Sequence, residues 1–176
     1  GLIGTLSNTG KVMQIGMEAP VIGPADPNAI RGIRGGGIAG QINGTDTMIS
    51  RCYARNAVIR VGETGGSAGG IAGKGLNGAK VQDCYVIDSD ISSIGTYGGS
   101  SSSASGIVGT SQGMKLIENC YVAGNTLAAM MGPSPGNTDS VGTGAVKKNC
   151  YSDVGQLSKT QKQTDQLNTL DTTERM

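Results

Sequence analysis

The chain has 176 residues, 31 of them glycine, and a formal net charge of +1. It contains no histidine, which excludes histidine-based nucleophilic catalysis and removes the commonest ligand of zinc and copper sites. The balance of 14 basic and 13 acidic residues argues against a nucleic-acid-binding or polybasic membrane surface, and no run of 18 apolar residues predicts a membrane span.

The N-terminal residues Gly1-Leu2-Ile3-Gly4 have neither the basic start nor the apolar stretch of a signal peptide, and no initial methionine precedes them. We therefore expect the chain to be an internal part of a longer precursor that carries other domains. As a composition alone, this many glycines together with the absence of Phe and Trp is typical of a low-complexity chain. The glycines are periodic, however, and this favours a repeat protein.

Each of the four cysteines is followed by tyrosine, and the pairs recur at nearly regular spacing. They are Cys52-Tyr53, Cys84-Tyr85, Cys120-Tyr121 and Cys150-Tyr151, separated by 32, 36 and 30 residues. Periods of this length indicate a stacked architecture. The first stretch of chain fits the same frame with Ile15 in place of the cysteine, which gives five repeats.

Most repeats carry apolar residues three positions before the cysteine and two and seven positions after it. Because these offsets differ in parity, one straight strand cannot turn them all to one face. Asn, Asp or Gly commonly occupies the position before the cysteine and the fourth position after it, where a left-handed backbone is favoured. Each repeat is therefore predicted to form three short strands joined by two corners, with long loops at residues 95–105 and 131–140.

Three strands that return to the same column describe one coil of a parallel β-helix. We predict an all-β fold, a single-stranded right-handed parallel β-helix of about five coils over residues 1–158, because the gaps show no helical periodicity for a crossover. The coils are centred on Ile15, Cys52, Cys84, Cys120 and Cys150. Residues 159–176 contain no glycine, and Leu167 and Leu170 suggest a short helix there, so this segment is predicted to be a cap or a linker.

The repeats resemble the bacterial GLUG-motif family, whose units combine a G-G-[LI]-[VA]-G element with I-x-N-[CS]-Y-A. The matching text is 36–40 with 49–54, 69–73 with 81–86, and 105–109 with 117–122, followed by a degraded fourth unit at 142–144 and 149–151. This resemblance implies a β-helix in a secreted or surface-attached bacterial protein, such as an adhesin-like chain. It supplies no set of catalytic residues.

Alternation along the strand predicts that the cysteines point inward with Ala54, Val86 and Val122, as a structural ladder of buried thiols. Disulfides between neighbouring coils remain an alternative, because the stacking distance lies within the usual Cα range although the parallel side chains hold their Cβ atoms too far apart. A zinc site is not expected, since a straight column with about 4.8 Å between coils cannot converge tetrahedrally on one ion.

The tyrosines Tyr53, Tyr85, Tyr121 and Tyr151 are predicted to point the opposite way and form an external aromatic stripe. Such a stripe could bind a glycan or a protein partner, because tyrosine offers a large contact area with a polar end. Alternatively, the rings stack on one another and are covered by loops or by a neighbouring domain.

No catalytic residue and no cofactor are predicted. Asp88 and Asp90 are the only close pair of acids that invites comparison with a glycoside hydrolase, but Asp88 occupies a corner position where Asn56 and Gly124 do the same work. A weak surface calcium site near these two carboxylates stays open.

We expect a non-enzymatic extracellular or cell-surface module that serves adhesion or the recognition of a host or environmental glycan or protein. No nucleic-acid partner and no membrane insertion by this segment are expected. A purely structural stalk of a larger surface protein is the alternative, and a polysaccharide-cleaving β-helix enzyme is a less favoured one.

Overall fold

The computed structural model describes residues 1–23, 34–62, 66–95, 102–131, 134–135 and 137–152. Every helix or strand assigned within these ranges is a β-strand. No helix in this part of the chain is long and apolar enough to cross a membrane. The segment 159–176, for which a cap or short helix is predicted, lies outside the described residues.

The strands follow one another in an order that repeats from coil to coil. The first coil contains β1 (Ile3–Ser7), β2 (Lys11–Met13), β3 (Gly16–Glu18) and β4 (Val21–Ile22). The second contains β5 (Arg34–Gly36), β6 (Ala39–Asn43), β7 (Met48–Ser50), β8 (Tyr53–Arg55) and β9 (Val58–Gly62). The third contains β10 (Ser67–Gly69), β11 (Ala72–Leu76), β12 (Lys80–Gln82), β13 (Tyr85–Ile87) and β14 (Asp90–Gly95).

The fourth coil contains β15 (Ser103–Ser105), β16 (Val108–Gln112), β17 (Leu116–Glu118), β18 (Tyr121–Ala123) and β19 (Thr126–Met131). The short strand β20 (Ser134–Pro135) pairs antiparallel with β19. The last coil contains β21 (Asn137–Asp139), β22 (Gly142–Thr143), β23 (Lys147–Lys148) and β24 (Tyr151–Ser152).

Equivalent strands of successive coils pair in parallel and build five sheets. We number them by the first strand of each: sheet 1 is β1-β6-β11-β16-β22, sheet 2 is β2-β7-β12-β17-β23, and sheet 3 is β3-β8-β13-β18-β24. Sheet 4 is β4-β9-β14-β19 with β20 at its edge, and sheet 5 is β5-β10-β15-β21. The predicted all-β parallel β-helix is confirmed.

The number of coils differs slightly from the expected five. Three coils contain all five strands, and a partial coil of four strands lies at each end of the described chain. The described part of the first coil begins with its sheet 1 strand, β1.

The prediction of three strands and two corners per coil is wrong, because each complete coil has five strands. The two additional strands come from the glycine-rich element and lie in sheets 5 and 1. Gly, Ala and Ser in these strands produce no apolar alternation, so the pattern gave no strand signal. For the same reason Ser103–Ser105 and Asn137–Asp139, assigned to the long loops, form strands.

The corners on either side of sheet 3 lie at the positions where the sequence favours a left-handed backbone. Residues before the cysteine have φ between 49° and 55°, namely Arg51, Asp83, Asn119 and Asn149. Residues four positions after it have φ between 51° and 63°, namely Asn56, Asp88 and Gly124. Side chains at the first corner also stack, since Asn119 Nδ2 donates to Asp83 Oδ1 at 2.9 Å and Asn149 Nδ2 donates to Asn119 Oδ1 at 3.2 Å.

The core consists of columns of like residues that extend through the stack. Its largest fully buried side chains are Ile38, Ile42, Ile49, Ile59, Ile71, Ile91, Ile107, Ile117, Val81, Val86, Val108 and Val122. One interior column is polar and has its hydrogen bonds satisfied: Asn125 accepts from the Ser89 amide at 2.9 Å and donates to the Val86 carbonyl at 2.9 Å. The Ala57 amide donates in turn to Ser89 Oγ at 3.0 Å.

Glycines let sheet 5 pack at backbone distance against sheet 1 and closely against side chains of sheet 4. A Cβ placed on Gly73 of β11 would lie 2.7 Å from the amide nitrogen of Gly35 in β5. A Cβ placed on Gly35 would lie 2.5 Å from a methyl group of Val61 in β9. The register puts Gly4, Gly40, Gly73 and Gly109 in one column of sheet 1. Much of the glycine excess therefore permits close packing of strands.

Connections between strands are short and nearly constant at every corner except one. The connections into sheet 3 and out of it contain two residues in each coil where both strands are described. Between a strand of sheet 4 and the next strand of sheet 5, the number of residues varies from 4 after β9 to 11 after β4. Differences in repeat length are thus absorbed at this corner.

Candidate functional site: the tyrosine column

The tyrosine column comprises Tyr53, Tyr85, Tyr121 and Tyr151, which occupy equivalent positions in four strands of sheet 3. Each strand begins directly after the inward-facing cysteine. Because side chains alternate along a strand, the residue after the tyrosine is again directed inward, and Ala54, Val86 and Val122 are buried. The left-handed corner before each cysteine thus sets the alternation that directs the tyrosines outward.

Two members of the column are well exposed and the terminal two are half-buried. Tyr85 is 39% and Tyr121 46% exposed. The rings of Tyr53 and Tyr85 are stacked, with centroids 4.8 Å apart and planes 2° from parallel. The facing sides of these two rings therefore cover each other.

The column is closed at its N-terminal end by Gly16. Gly16 pairs with Tyr53 across β3 and β8, and a Cβ on Gly16 would collide with the Tyr53 ring. The Tyr53 hydroxyl interacts with the Glu18 carboxylate, and this hydrogen bond raises the pKa of Tyr53. Gly16 and Glu18 together fix the ring on which Tyr85 stacks.

A second outward column runs beside the tyrosines on sheet 3. Its members in order are Glu18, Arg55, Ile87 and Ala123. Glu18 and Arg55 are exposed and charged, whereas Ile87 and Ala123 are partly buried and lie on the strands of the two most exposed tyrosines. The outer face of sheet 3 therefore combines an apolar and aromatic centre with a charged end.

The cysteine column lies on the inner side of the same sheet. Cys52, Cys84 and Cys120 are at most 2% exposed, Cys150 is half-buried, and all four are free thiols. Each Sγ lies 3.1–3.3 Å from the carbonyl oxygen two residues upstream in its own coil. The four side chains thus repeat one local arrangement from coil to coil.

The end of the cysteine column has the most accessible thiol. The neighbouring Cys120 thiol is the main cause that lowers the pKa of Cys150, and the charge of Lys147 acts in the same direction. The neighbouring thiols of Cys150 and Cys84, together with burial, raise the pKa of Cys120. The Cys150 thiol therefore ionises more readily than an ordinary cysteine thiol.

Asp88 and Asp90 do not form a pair across a groove. Asp88 occupies the corner after β13 with φ of 51°, in register with Asn56. Asp90 Oδ2 lies 3.5 Å from Arg60 Nη2, and both side chains are more than 40% exposed, so the ion pair adds little stability. The described residues include no cluster of three or more His, Cys, Asp or Glu side chains suited to a metal ion.

A depression that the sequence analysis missed lies at the edge of sheet 2. Its volume is about 500 Å³, and its lining residues are Thr9, Lys11, Thr45, Asp46, Met48 and Lys80. Lys11, Met48 and Lys80 share one column through the register of β2, β7 and β12. These three residues lie four positions before Ile15, Cys52 and Cys84, but a lysine in only two of the coils produces no motif along the chain.

No protein-family model matches this chain, and no curated protein matches its sequence. Among solved structures the chain is similar to a protein from Bacteroides ovatus described as a candidate immunoglobulin A1 protease. The two share 20% sequence identity and a TM-score of 0.48; the match covers 89% of this chain and 58% of the length of that protein. Similarity of this degree says nothing about activity or ligands.

Proposed function

We propose that this β-helix is a non-enzymatic recognition module of an extracellular or cell-surface bacterial protein and that it binds a protein partner through the tyrosine column. The observation that carries the proposal is the in-register exposure of Tyr85 and Tyr121 on the outer face of sheet 3. The likeness of the repeats to GLUG-motif units supports the extracellular placement and a role in adhesion.

Ring orientation favours a protein over a glycan as the partner. A sugar ring needs a free aromatic face on which to stack, whereas Tyr53 and Tyr85 stack with ring centroids 4.8 Å apart, so each ring covers one face of the other. Ring edges and hydroxyl groups suit the mixed apolar and hydrogen-bonding contacts of protein interfaces, in which tyrosine is enriched. Ile87 and Ala123 extend the apolar area beside the exposed rings.

The experiment compares wild type with a Tyr85→Ala/Tyr121→Ala variant for binding to mucin, to enzymatically deglycosylated mucin and to a glycan array. Val21→Ala is the matched control, because Val21 is 72% exposed and lies in sheet 4. We expect binding to mucin that survives deglycosylation, falls at least tenfold in the tyrosine variant and is unchanged in the control.

Two results would contradict the proposal. Binding that disappears with the glycans would make the ligand a sugar. Binding that is equal in the wild type and the tyrosine variant would place the contact on another surface.

A structural stalk is the second candidate, favoured by the continuous in-register stacking of the coils in all five sheets. In that case none of the three probes binds, and the tyrosine variant behaves as wild type in every assay. A neighbouring domain in the full-length gene would then carry the activity.

A further inference from the structure

We propose that Cys120 and Cys150 form a binding site for one soft cation that prefers two sulfur ligands in a line, of which Cu(I) is the physiological example. The site is distinct from the tyrosine column, because the cysteines lie on the inner side of sheet 3. It is independent of the proposed recognition function.

The spacing of the thiols fits this coordination. Each sulfur keeps the same distance from the carbonyl two residues upstream, so neighbouring Sγ atoms are separated by about the translation from one coil to the next. Cys150 Sγ lies slightly closer to the preceding coil than the others, at 3.4 Å from the Ile117 carbonyl against 3.9–4.0 Å for the equivalent contacts. The stacked rings of Tyr53 and Tyr85 give that translation as 4.8 Å. A thiolate–metal bond is about 2.3 Å long, as for zinc, so a linear sulfur–metal–sulfur unit spans about 4.6 Å. The ion fits between two successive sulfurs with little movement of the backbone.

The same spacing opposes the other reactions of paired thiols. A tetrahedral ion requires four ligands that converge, whereas this column supplies two neighbours along one axis. A disulfide requires the sulfurs to approach to about 2.05 Å and the Cβ atoms to about 3.8 Å, which parallel side chains on successive strands do not allow without distortion. Thiolate sulfur also selects soft ions over hard ones.

Access limits the site to the end of the column. Cys52, Cys84 and Cys120 are at most 2% exposed, but Cys150 is half-buried in the partial last coil. An incoming ion meets Cys150 first and gains Cys120 as its second ligand. Binding releases up to two protons to solvent as two thiols become thiolates.

The experiment uses Ag(I), supplied as the nitrate in chloride-free buffer, because silver forms the same linear geometry without a redox step. Native mass spectrometry should show one tightly bound Ag(I) per chain, and X-ray absorption should show two sulfur ligands. Cys150→Ala and Cys120→Ala should each weaken binding at least a hundredfold. Cys52→Ala, the matched control at the other end of the column, should bind silver as the wild type does. The far-ultraviolet circular dichroism of the protein should not change when one equivalent of silver is added.

The proposal is overturned if Cys150→Ala and Cys52→Ala bind silver equally, if three or more sulfurs surround the ion, or if β-structure is lost at one equivalent. Recovery of an intramolecular disulfide from the purified chain would also overturn it. Should Cys120→Ala fail to fold, Cys150→Ala decides alone, because its position on the partial coil exposes it to solvent.

Discussion

Replacing Gly73 by alanine tests whether backbone contact between sheets 1 and 5 holds the coils together. The added methyl group would lie 2.7 Å from the Gly35 nitrogen, 2.7 Å from the Gly40 oxygen and 2.9 Å from the Gly35 oxygen. All three atoms belong to the backbone, so no side chain can rotate away. We expect this overpacking to lower the free energy of unfolding by about 3 kcal/mol, the upper end of the usual range.

Gly4 provides the matched control, because it occupies the same column of sheet 1 in the first coil. No strand of sheet 5 faces it in the described structure, and a Cβ placed on Gly4 meets nothing within 4 Å. Gly4→Ala should therefore be neutral or stabilise the fold by about 0.4–1 kcal/mol, because alanine restricts the unfolded chain.

Thermal unfolding followed by circular dichroism measures the difference. For a chain of this size, about 3 kcal/mol lowers the Tm by about 6–12 °C. Gly73→Ala should show this decrease while Gly4→Ala stays at or slightly above wild type. Equal Tm values for the two variants would refute the idea that close strand packing explains the glycine column.

Three further changes test other parts of the structure. Met114→Ala should lower the free energy of unfolding by about 2–4 kcal/mol in denaturant unfolding, because Met114 fills the space beside Gly75. The double variant Met114→Ala/Gly75→Val should recover part of this loss, because the valine side chain occupies the same space. Asn125→Ala should lower the free energy of unfolding by about 2–3 kcal/mol in the same assay, because it leaves the buried Ser89 amide and the buried Val86 carbonyl without their partner. Alkylation of Cys150 by iodoacetamide should rise between pH 6 and 8 with a midpoint near its pKa of about 7, and Cys120→Ala should move the midpoint upward.

The register of the coils could be predicted because it depends on residue types with strong local preferences. Asn119 and Asp88 accept a left-handed backbone, and the alternation of Cys120, Tyr121 and Val122 then fixes which side chains face inward. These signals recur in most repeats, so the columns can be aligned without knowledge of the structure.

Sheets 5 and 1 could not be predicted in the same way. Strands such as Ser67–Gly69 contain only small residues, and their stability comes from close approach to another backbone, which leaves no apolar period in the sequence. The stacking of Tyr53 on Tyr85 depends on side-chain rotamers and on Gly16 in the preceding coil, and neither is visible in the spacing of the cysteines.

The variable connection between sheets 4 and 5 makes this corner tolerant of foreign sequence. Chain lengths from 4 to 11 residues already join these sheets, while the connections around sheet 3 keep two residues in coil after coil. A peptide epitope or an affinity tag grafted after Gly62 would enter where natural length differences already occur. The outer face of sheet 3 would keep its geometry, so the β-helix can serve as a display scaffold with one permissive edge and one invariant surface.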